Sequence, residues 1–127
     1  MSMKKVKTKF VRLTVLLGLT IGLLLVGSIL YAGWIKVLYP NGGEVLKINS
    51  SIHIKWQSKD LNGKVVIVLY KKGIKHSVIS EETDNSGKFL WKIPERLPEA
   101  NDYRVRIRAL KDLSVNDFSD RNFTIKK

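Results

Sequence analysis

Two hydrophobic patterns divide this chain near residue 35. Residues 13–35 form one apolar run of 23 residues without a charged side chain, whereas apolar and polar residues alternate through much of residues 36–127. As a helix with a rise of about 1.5 Å per residue, the run is about 34 Å long and can cross a hydrocarbon core of roughly 30 Å. The alternation that follows has a period of two residues, which predicts half-buried β-strands.

The apolar run follows a basic stretch, residues 1–12, which contains five Lys or Arg. Because such a flank stays on the cytoplasmic side of a membrane, we predict a single-pass signal-anchor at residues 13–35. The N-terminus would then be cytoplasmic and residues 36–127 would lie outside the cell membrane. The alternatives are a secretory signal cleaved near Val26-Gly27-Ser28, which would release the domain, and a buried core helix. The run is longer than the apolar part of a signal peptide, which favours the anchor.

Three segments of residues 36–127 carry the clearest strand signal. Ser51 to Trp56 alternates between an apolar and a polar face, and Asp102 to Leu110 does the same. Lys64 to Tyr70 is apolar on both faces, which predicts a central strand. Weaker strands are predicted at residues 35–39, 44–48, 75–80, 88–93 and 122–126, and residues 112–120 are predicted to form a polar loop.

Turn signals separate these segments, with Asn62-Gly63 as the strongest short hairpin signal. No part of residues 36–127 has the periodicity of a long helix. About seven short strands with turns every 8–12 residues predict an all-β fold, an antiparallel immunoglobulin- or fibronectin III-like β-sandwich. A small closed barrel is the alternative.

Aromatic residues on the inward strand phases are the predicted core. The chain has no cysteine, so packing of these large side chains has to supply the cohesion that disulfides give many exported domains. One of them stands near the start of the penultimate strand, where sandwich domains often have a tyrosine corner. The predicted core residues are Trp56, Phe89, Trp91, Tyr103 and Phe123.

The exported part is basic. It holds 18 of the 23 Lys and Arg and all 11 acids, which gives it a net charge of +7. Such a surface attracts anionic lipids, wall polymers or nucleic acid, and outside a membrane we expect no nucleic acid. The simpler explanation is that lysines keep strand faces soluble.

Arg104, Arg106 and Arg108 form the most distinctive predicted surface feature. They lie about 6.5–7 Å apart along one strand face and would form a basic stripe that grips carboxylates or phosphates. Alternatively, they pair with cross-strand acids or lie over the sheet with their stems packed. Tyr70 and Trp34 are the aromatics that the pattern does not assign to the core. The candidate binding residues are therefore the three arginines and Tyr70.

No catalytic or metal-binding constellation is evident, so we predict neither an enzyme nor a metal or other cofactor. His53 and His76 are the only histidines, and their spacing suggests no relay with an acid and a nucleophile. Asp112, Asp117 and Asp120 offer oxygens for Ca²⁺, but they match no known calcium-loop spacing. Hydrogen bonds that fix the loop before the last strand are the better explanation for Asp117 and Asp120, together with Ser119.

Several motifs follow one another in a recognisable order. They are Ile35-x-Val37-x-Tyr39-Pro40-Asn41-Gly42-Gly43-Glu44, Ile52-x-Ile54-x-Trp56, Val65 to Tyr70 with Lys71 and Gly73, Asn85-Ser86-Gly87-x-Phe89-x-Trp91-x-Ile93-Pro94, Asp102 to Ile107 and Asp117 to Ile125. With these motifs the chain resembles the fibronectin III-like module of the Ser-Thr-rich GPI-anchored membrane family, which is related to the N-terminal domain of yeast Kre/Knh cell-wall glucan-assembly proteins. The resemblance covers residues 35–126 and implies a non-catalytic β-sandwich at the cell surface.

These observations lead to one main functional hypothesis. The chain is expected to be a membrane-tethered, non-catalytic module that binds an envelope protein or polysaccharide. The alternative is a carbohydrate-binding accessory module, which needs aromatic side chains exposed on one face. A third hypothesis is a structural subunit whose apolar helix pairs with other membrane helices through Gly18 and Gly22.

Overall fold

The structure, a computed structural model, describes residues 33–127. These residues form two stacked β-sheets. Most of the predicted anchor, and with it the proposed cleavage site and the Gly18–Gly22 pair, falls outside these residues. Within them, no helix is long and apolar enough to cross a membrane. The strands are β1 (Trp34–Tyr39), β2 (Val45–Lys47), β3 (Ser51–Lys59), β4 (Lys64–Lys71), β5 (Ile74–Asp84), β6 (Lys88–Lys92), β7 (Ala100–Ala109), β8 (Asn116–Phe118) and β9 (Phe123–Lys126).

The smaller sheet has the order β1-β3-β6, and both of its pairings are antiparallel. Its strands alternate as predicted: Ile54 and Trp56 of β3 are buried, while His53 and Lys55 are exposed. β1 begins at Trp34, so the last two residues of the predicted membrane segment, Trp34 and Ile35, belong to the sandwich. Ile35 is buried in its core.

The larger sheet has the order β2-β9-β7-β4-β5, and β8 also pairs with β7. The apolar strand β4 lies between β7 and β5, which is the central position predicted for it, and β5 forms an edge. Two details differ from the prediction. β2 pairs with β9 in parallel, and the stretch predicted as a polar loop, residues 112–120, contains the short strand β8.

The core lies between the two sheets. Trp56, Trp91, Tyr103 and Phe123 are buried in it, and Phe89 is half-buried against it. The Tyr103 hydroxyl donates to the carbonyl of Pro98 at 2.6 Å, which is the upstream backbone bond of a tyrosine corner. The described residues therefore form an all-β sandwich. It has nine strands because the three-residue strands β2 and β8 add to the longer ones.

Hydrogen bonds join the loop after β1 to the segment between β8 and β9. The Ser119 hydroxyl is buried, donates to the Pro40 carbonyl at 2.8 Å and accepts from the Val105 amide at 3.0 Å. Asn41 and Asp120 bond each other twice, from amide side chain to carboxylate and from backbone amide to side-chain oxygen. These contacts explain why the Pro-Asn-Gly-Gly-Glu motif and the Asp-x-Ser-Asp motif occur together, since each holds the other in place.

Candidate functional site

The three arginines lie on the outer face of the larger sheet, as their strand phase predicts. Arg106 and Arg108 stand opposite Val68 and Val66 of β4. These two valines also point outward, yet they are only 4% and 3% exposed. Their burial indicates that the half-buried arginine side chains lie across the sheet with their stems packed on it.

Arg106 belongs to a small cluster of side chains from three neighbouring strands. Its Nε donates to Asn116 Oδ1 at 3.2 Å, and Nη1 donates to the Tyr70 hydroxyl at 3.4 Å. The guanidinium lies 5.4 Å from the centre of the Phe118 ring, within the range of a cation–π contact. The Tyr70 and Phe118 rings meet edge to face with their centres 4.9 Å apart. The cluster therefore fixes the orientation of Tyr70.

None of the three arginines pairs with an acid. The salt bridges among residues 33–127 join Lys64 to Glu82 and Lys71 to Asp102, and neither involves an arginine. Arg108 Nη1 bonds the Ala109 carbonyl. Among the described residues, the arginines therefore do not form the ion pairs with cross-strand acids that were one expectation. Their side chains pack over the sheet, which was the other.

Arg104 and Tyr70 lie together at an open groove of about 480 Å³, which we call the Tyr70–Arg104 groove. Within residues 33–127, the one side-chain hydrogen bond of Arg104 runs from Nε to Asn122 Oδ1, at 3.0 Å. The N–H donors of its terminal amino groups are thus available to a ligand. They lie in one plane, an arrangement that matches a carboxylate or a phosphate. The residues that line the groove are Tyr70, Lys72, Gly73, Arg104, Phe118 and Asn122.

The sequence did not reveal the contribution of Phe118. Phe118 falls in the stretch predicted as a polar loop. The strand that contains it, β8, has three residues, too few for its alternation to be detected. The signal that was present is a lone aromatic residue among Asn116, Asp117 and Ser119. Pairing of β8 with β7 places that ring beside Tyr70.

The carboxylates considered for calcium are engaged with the chain instead. Asp117 Oδ2 accepts from the Val37 amide at 2.8 Å and so links β8 to β1 across the two sheets. Asp112 accepts from the amide and hydroxyl of Ser114, and these bonds lower the pKa of Asp112 below its usual value. Hydrogen bonding was the preferred prediction for Asp117, Ser119 and Asp120, and the bonds of these three residues confirm it.

The histidines do not meet at a common site. His53 lies on β3 in the smaller sheet, where it lines a second depression of about 320 Å³ with Tyr39 and Lys55. His76 is an exposed residue on β5 in the larger sheet, and its ring lies edge to face with Tyr103 at 6.3 Å between ring centres. Among residues 33–127, no group of three or more His, Asp or Glu side chains is arranged to hold a metal ion.

One comparison with known proteins identifies a family. The family model for the Kre9/KNH-like N-terminal Ig-like domain matches residues 39–125, which is more than half of the chain and nearly all of the sandwich. No curated protein and no solved structure matches the chain. The family match agrees with the resemblance to the Kre/Knh module on which the sequence motifs converge.

Proposed function

The chain belongs to the Kre9/KNH-like N-terminal Ig-like domain family, and from this premise we propose that it is a membrane-tethered, non-catalytic module that binds a partner in the cell envelope. The family assigns it an Ig-like, cell-wall-associated character. The apolar run at residues 13–35, behind a basic flank, supports the tether and an extracytoplasmic position for the sandwich.

The observation that carries the binding function is the state of Arg104. The guanidinium of Arg104 has no acidic partner among the described residues and stands at the wall of a groove, next to two aromatic rings. A carboxylate or phosphate entering this groove would meet free donors of Arg104 and the positive charge of Lys72. We therefore propose that the partner is an envelope polymer or surface protein that presents an acidic group.

A carbohydrate-binding accessory function is the second candidate, and the aromatic wall of the same groove supports it. Tyr70 and Phe118 hold each other edge to face, so a sugar in the groove would meet a fixed apolar surface. A neutral sugar would depend on this surface and not on the charge of Arg104. The response of binding to loss of that charge separates the two candidates.

The groove is tested by cosedimentation of the full chain, held in detergent micelles, with an insoluble polysaccharide. The probes are a neutral β-glucan and cross-linked polygalacturonate, which carries carboxylates. Because a charge-assisted hydrogen bond contributes about 1.5–3 kcal/mol, we expect Arg104→Gln to weaken binding to polygalacturonate about 10- to 100-fold. Arg96→Gln removes the same charge from an exposed loop position and should leave binding unchanged.

Three results would count against this proposal. Equal binding by the Arg104→Gln and Arg96→Gln variants would remove the acidic-group recognition at the groove. Binding to the neutral glucan that is lost in Tyr70→Ala and kept in Arg104→Gln would establish the accessory carbohydrate module instead. Absence of the full-mass chain from washed membranes, with a shorter product in the medium, would show that residues 13–35 act as a cleaved signal and not as a tether.

A further inference from the structure

The outer face of the smaller sheet is basic and partly apolar, and the proposed groove does not use it. The sequences of β1, β3 and β6 contain no Asp or Glu. Their outward positions carry lysines with three large apolar side chains among them. This surface, called the lysine face below, consists of Lys36, Lys55, Lys59, Lys88 and Lys92 with Trp34, Leu38 and Leu90, all of them exposed.

Like charges on the lysine face lie close to one another. Lys55 of β3 stands directly opposite Lys88 of β6, and like charges in such cross-strand pairs are destabilising. No acid on these three strands offsets the repulsion. An anionic surface placed against the face would do so, and the charge complementarity therefore points to an extended anionic partner.

The apolar residues on the lysine face distinguish a lipid surface from an anionic polymer. Trp34 is 45% exposed at the first position of β1, and Leu90 is 59% exposed in the middle of β6. Trp side chains prefer the membrane–water interface, and lysines extend their charged ends to headgroups while their stems cover apolar surface. A hydrated polyanion would bind the lysines and gain little from Trp34 or Leu90.

The position of the face in the chain agrees with a bilayer. Trp34 and Ile35 are the last two residues of the apolar run, and Lys36 directly follows it. If that run spans a membrane, as the proposed tether requires, β1 cannot lie more than a few residues' length from the headgroups, at no more than about 3.6 Å per residue. The inference rests on the proposed tether for its location only.

We propose that the lysine face docks on the anionic headgroups of the membrane that holds the chain, with Trp34, Leu38 and Leu90 at the headgroup level. Basic side chains near an anionic leaflet each contribute to binding, and the contribution falls off within a Debye length. The contact therefore requires anionic lipid and weakens as the salt concentration rises.

The test measures lysine accessibility in the full chain. The chain is placed in nanodiscs of phosphatidylcholine alone or with about one third phosphatidylglycerol, and an amine-reactive reagent labels lysines for mass spectrometry. We expect the five lysines of the face to be labelled at least about threefold more slowly in the anionic discs. Lys75, Lys111 and Lys126 lie off this face and outside the groove, and they serve as internal controls with unchanged rates.

Three double variants sharpen the test. Lys55→Gln with Lys88→Gln should abolish most of the protection at Lys36, Lys59 and Lys92, whereas the charge-matched control Lys75→Gln with Lys111→Gln should keep it. Trp34→Ser with Leu90→Ser should also lose protection, because the lipid contact includes both side chains. A urea denaturation midpoint verifies that each variant is folded.

Equal labelling in the two kinds of nanodisc would overturn the proposal. Full protection in the Trp34→Ser, Leu90→Ser variant would overturn it as well, since the surface would then respond to charge alone. Soluble polyphosphate that protects all five lysines as strongly as the anionic discs, with or without Trp34 and Leu90, would assign the face to an anionic polymer. None of these results depends on Arg104, so failure here leaves the proposed groove untouched.

Discussion

Replacement of Ser119 by alanine tests how the sandwich is held together at the end where the loop after β1 meets the segment between β8 and β9. Ser119 is the buried polar residue of residues 33–127, at 1% exposure. Its hydroxyl satisfies two backbone groups, the carbonyl of Pro40 and the amide of Val105. Alanine keeps the Ser119 backbone bond to the Val105 carbonyl but leaves both of those groups without their hydroxyl partner.

The size of the effect follows from those two groups. A buried donor or acceptor that loses its partner costs about 1–3 kcal/mol. Removal of the hydroxyl itself from the interior offsets part of this cost, so we expect Ser119→Ala to lower the free energy of unfolding by about 2–4 kcal/mol. For a domain of this size, each kcal/mol shifts the melting temperature by about 4–8 °C. The variant should therefore melt roughly 8–32 °C below the parent.

The assay is urea and thermal denaturation of residues 33–127, followed by the fluorescence of the buried tryptophans. Ser86→Ala is the matched control because its hydroxyl also bonds a backbone carbonyl, that of Lys88 at 3.0 Å, but at an exposed position. It should change stability by less than about 0.5 kcal/mol. If the two alanine variants have the same stability, the buried hydroxyl does not couple these loops and the reasoning is wrong.

Three further predictions concern other parts of the sandwich. In Gly42→Ala, the new Cβ would lie 2.7 Å from Cβ of Arg121 at a φ of +145°. We therefore expect the free energy of unfolding, measured from the urea midpoint, to fall by about 1–3 kcal/mol. An unchanged midpoint would refute the close packing of the two loops. Asn85→Ala removes the acceptor for Trp56 Nε1, which lies 2.8 Å away. We expect the free energy of unfolding to fall by about 1–3 kcal/mol, with a change in tryptophan fluorescence. Unchanged stability would show that this bond is dispensable. Burial and the nearby charge of Asp102 raise the pKa of Tyr103 above 10.0, so the folded state keeps a proton that the unfolded state loses and stability falls as the pH rises past 10.0. Tyr103→Phe should show a shallower loss of stability in this alkaline range, and an identical pH profile in the two proteins would contradict this assignment.

Periodicity was sufficient to predict the long strands and most of the core. Alternation over Ser51 to Trp56 assigned the buried face of β3, and the doubly apolar segment from Lys64 placed β4 inside its sheet. A strand of three residues contains little more than one period and is hard to detect, although β2, which is as short as β8, was predicted within residues 44–48. β8 was missed for this reason, and the parallel pairing of β2 with β9 was missed because it depends on where the chain returns and not on any local pattern.

The candidate site was predictable in part. Strand phase placed Arg104, Arg106 and Arg108 outward, which the structure shows, and left Tyr70 outside the core. The sequence did not determine what the arginines contact, because that depends on which strand lies beside β7. Because β8 pairs with β7, Phe118 contacts Tyr70 and Arg106. This tertiary contact places the row of arginines beside aromatic rings, where it forms one wall of a groove.

The two basic faces of the sandwich differ in chemistry in a way that fits two different partners. In a two-layer sandwich the outer faces of the sheets point in opposite directions. The lysine face presents compact, strongly hydrated charges beside exposed apolar side chains, which suits headgroups, while Arg104 presents a planar fork in a groove, which suits a single carboxylate or phosphate. If the lysine face rests on the membrane, the Tyr70–Arg104 groove points away from it into the envelope. The proposed docking would thus orient the proposed binding site, and the two contacts would not compete for the same surface.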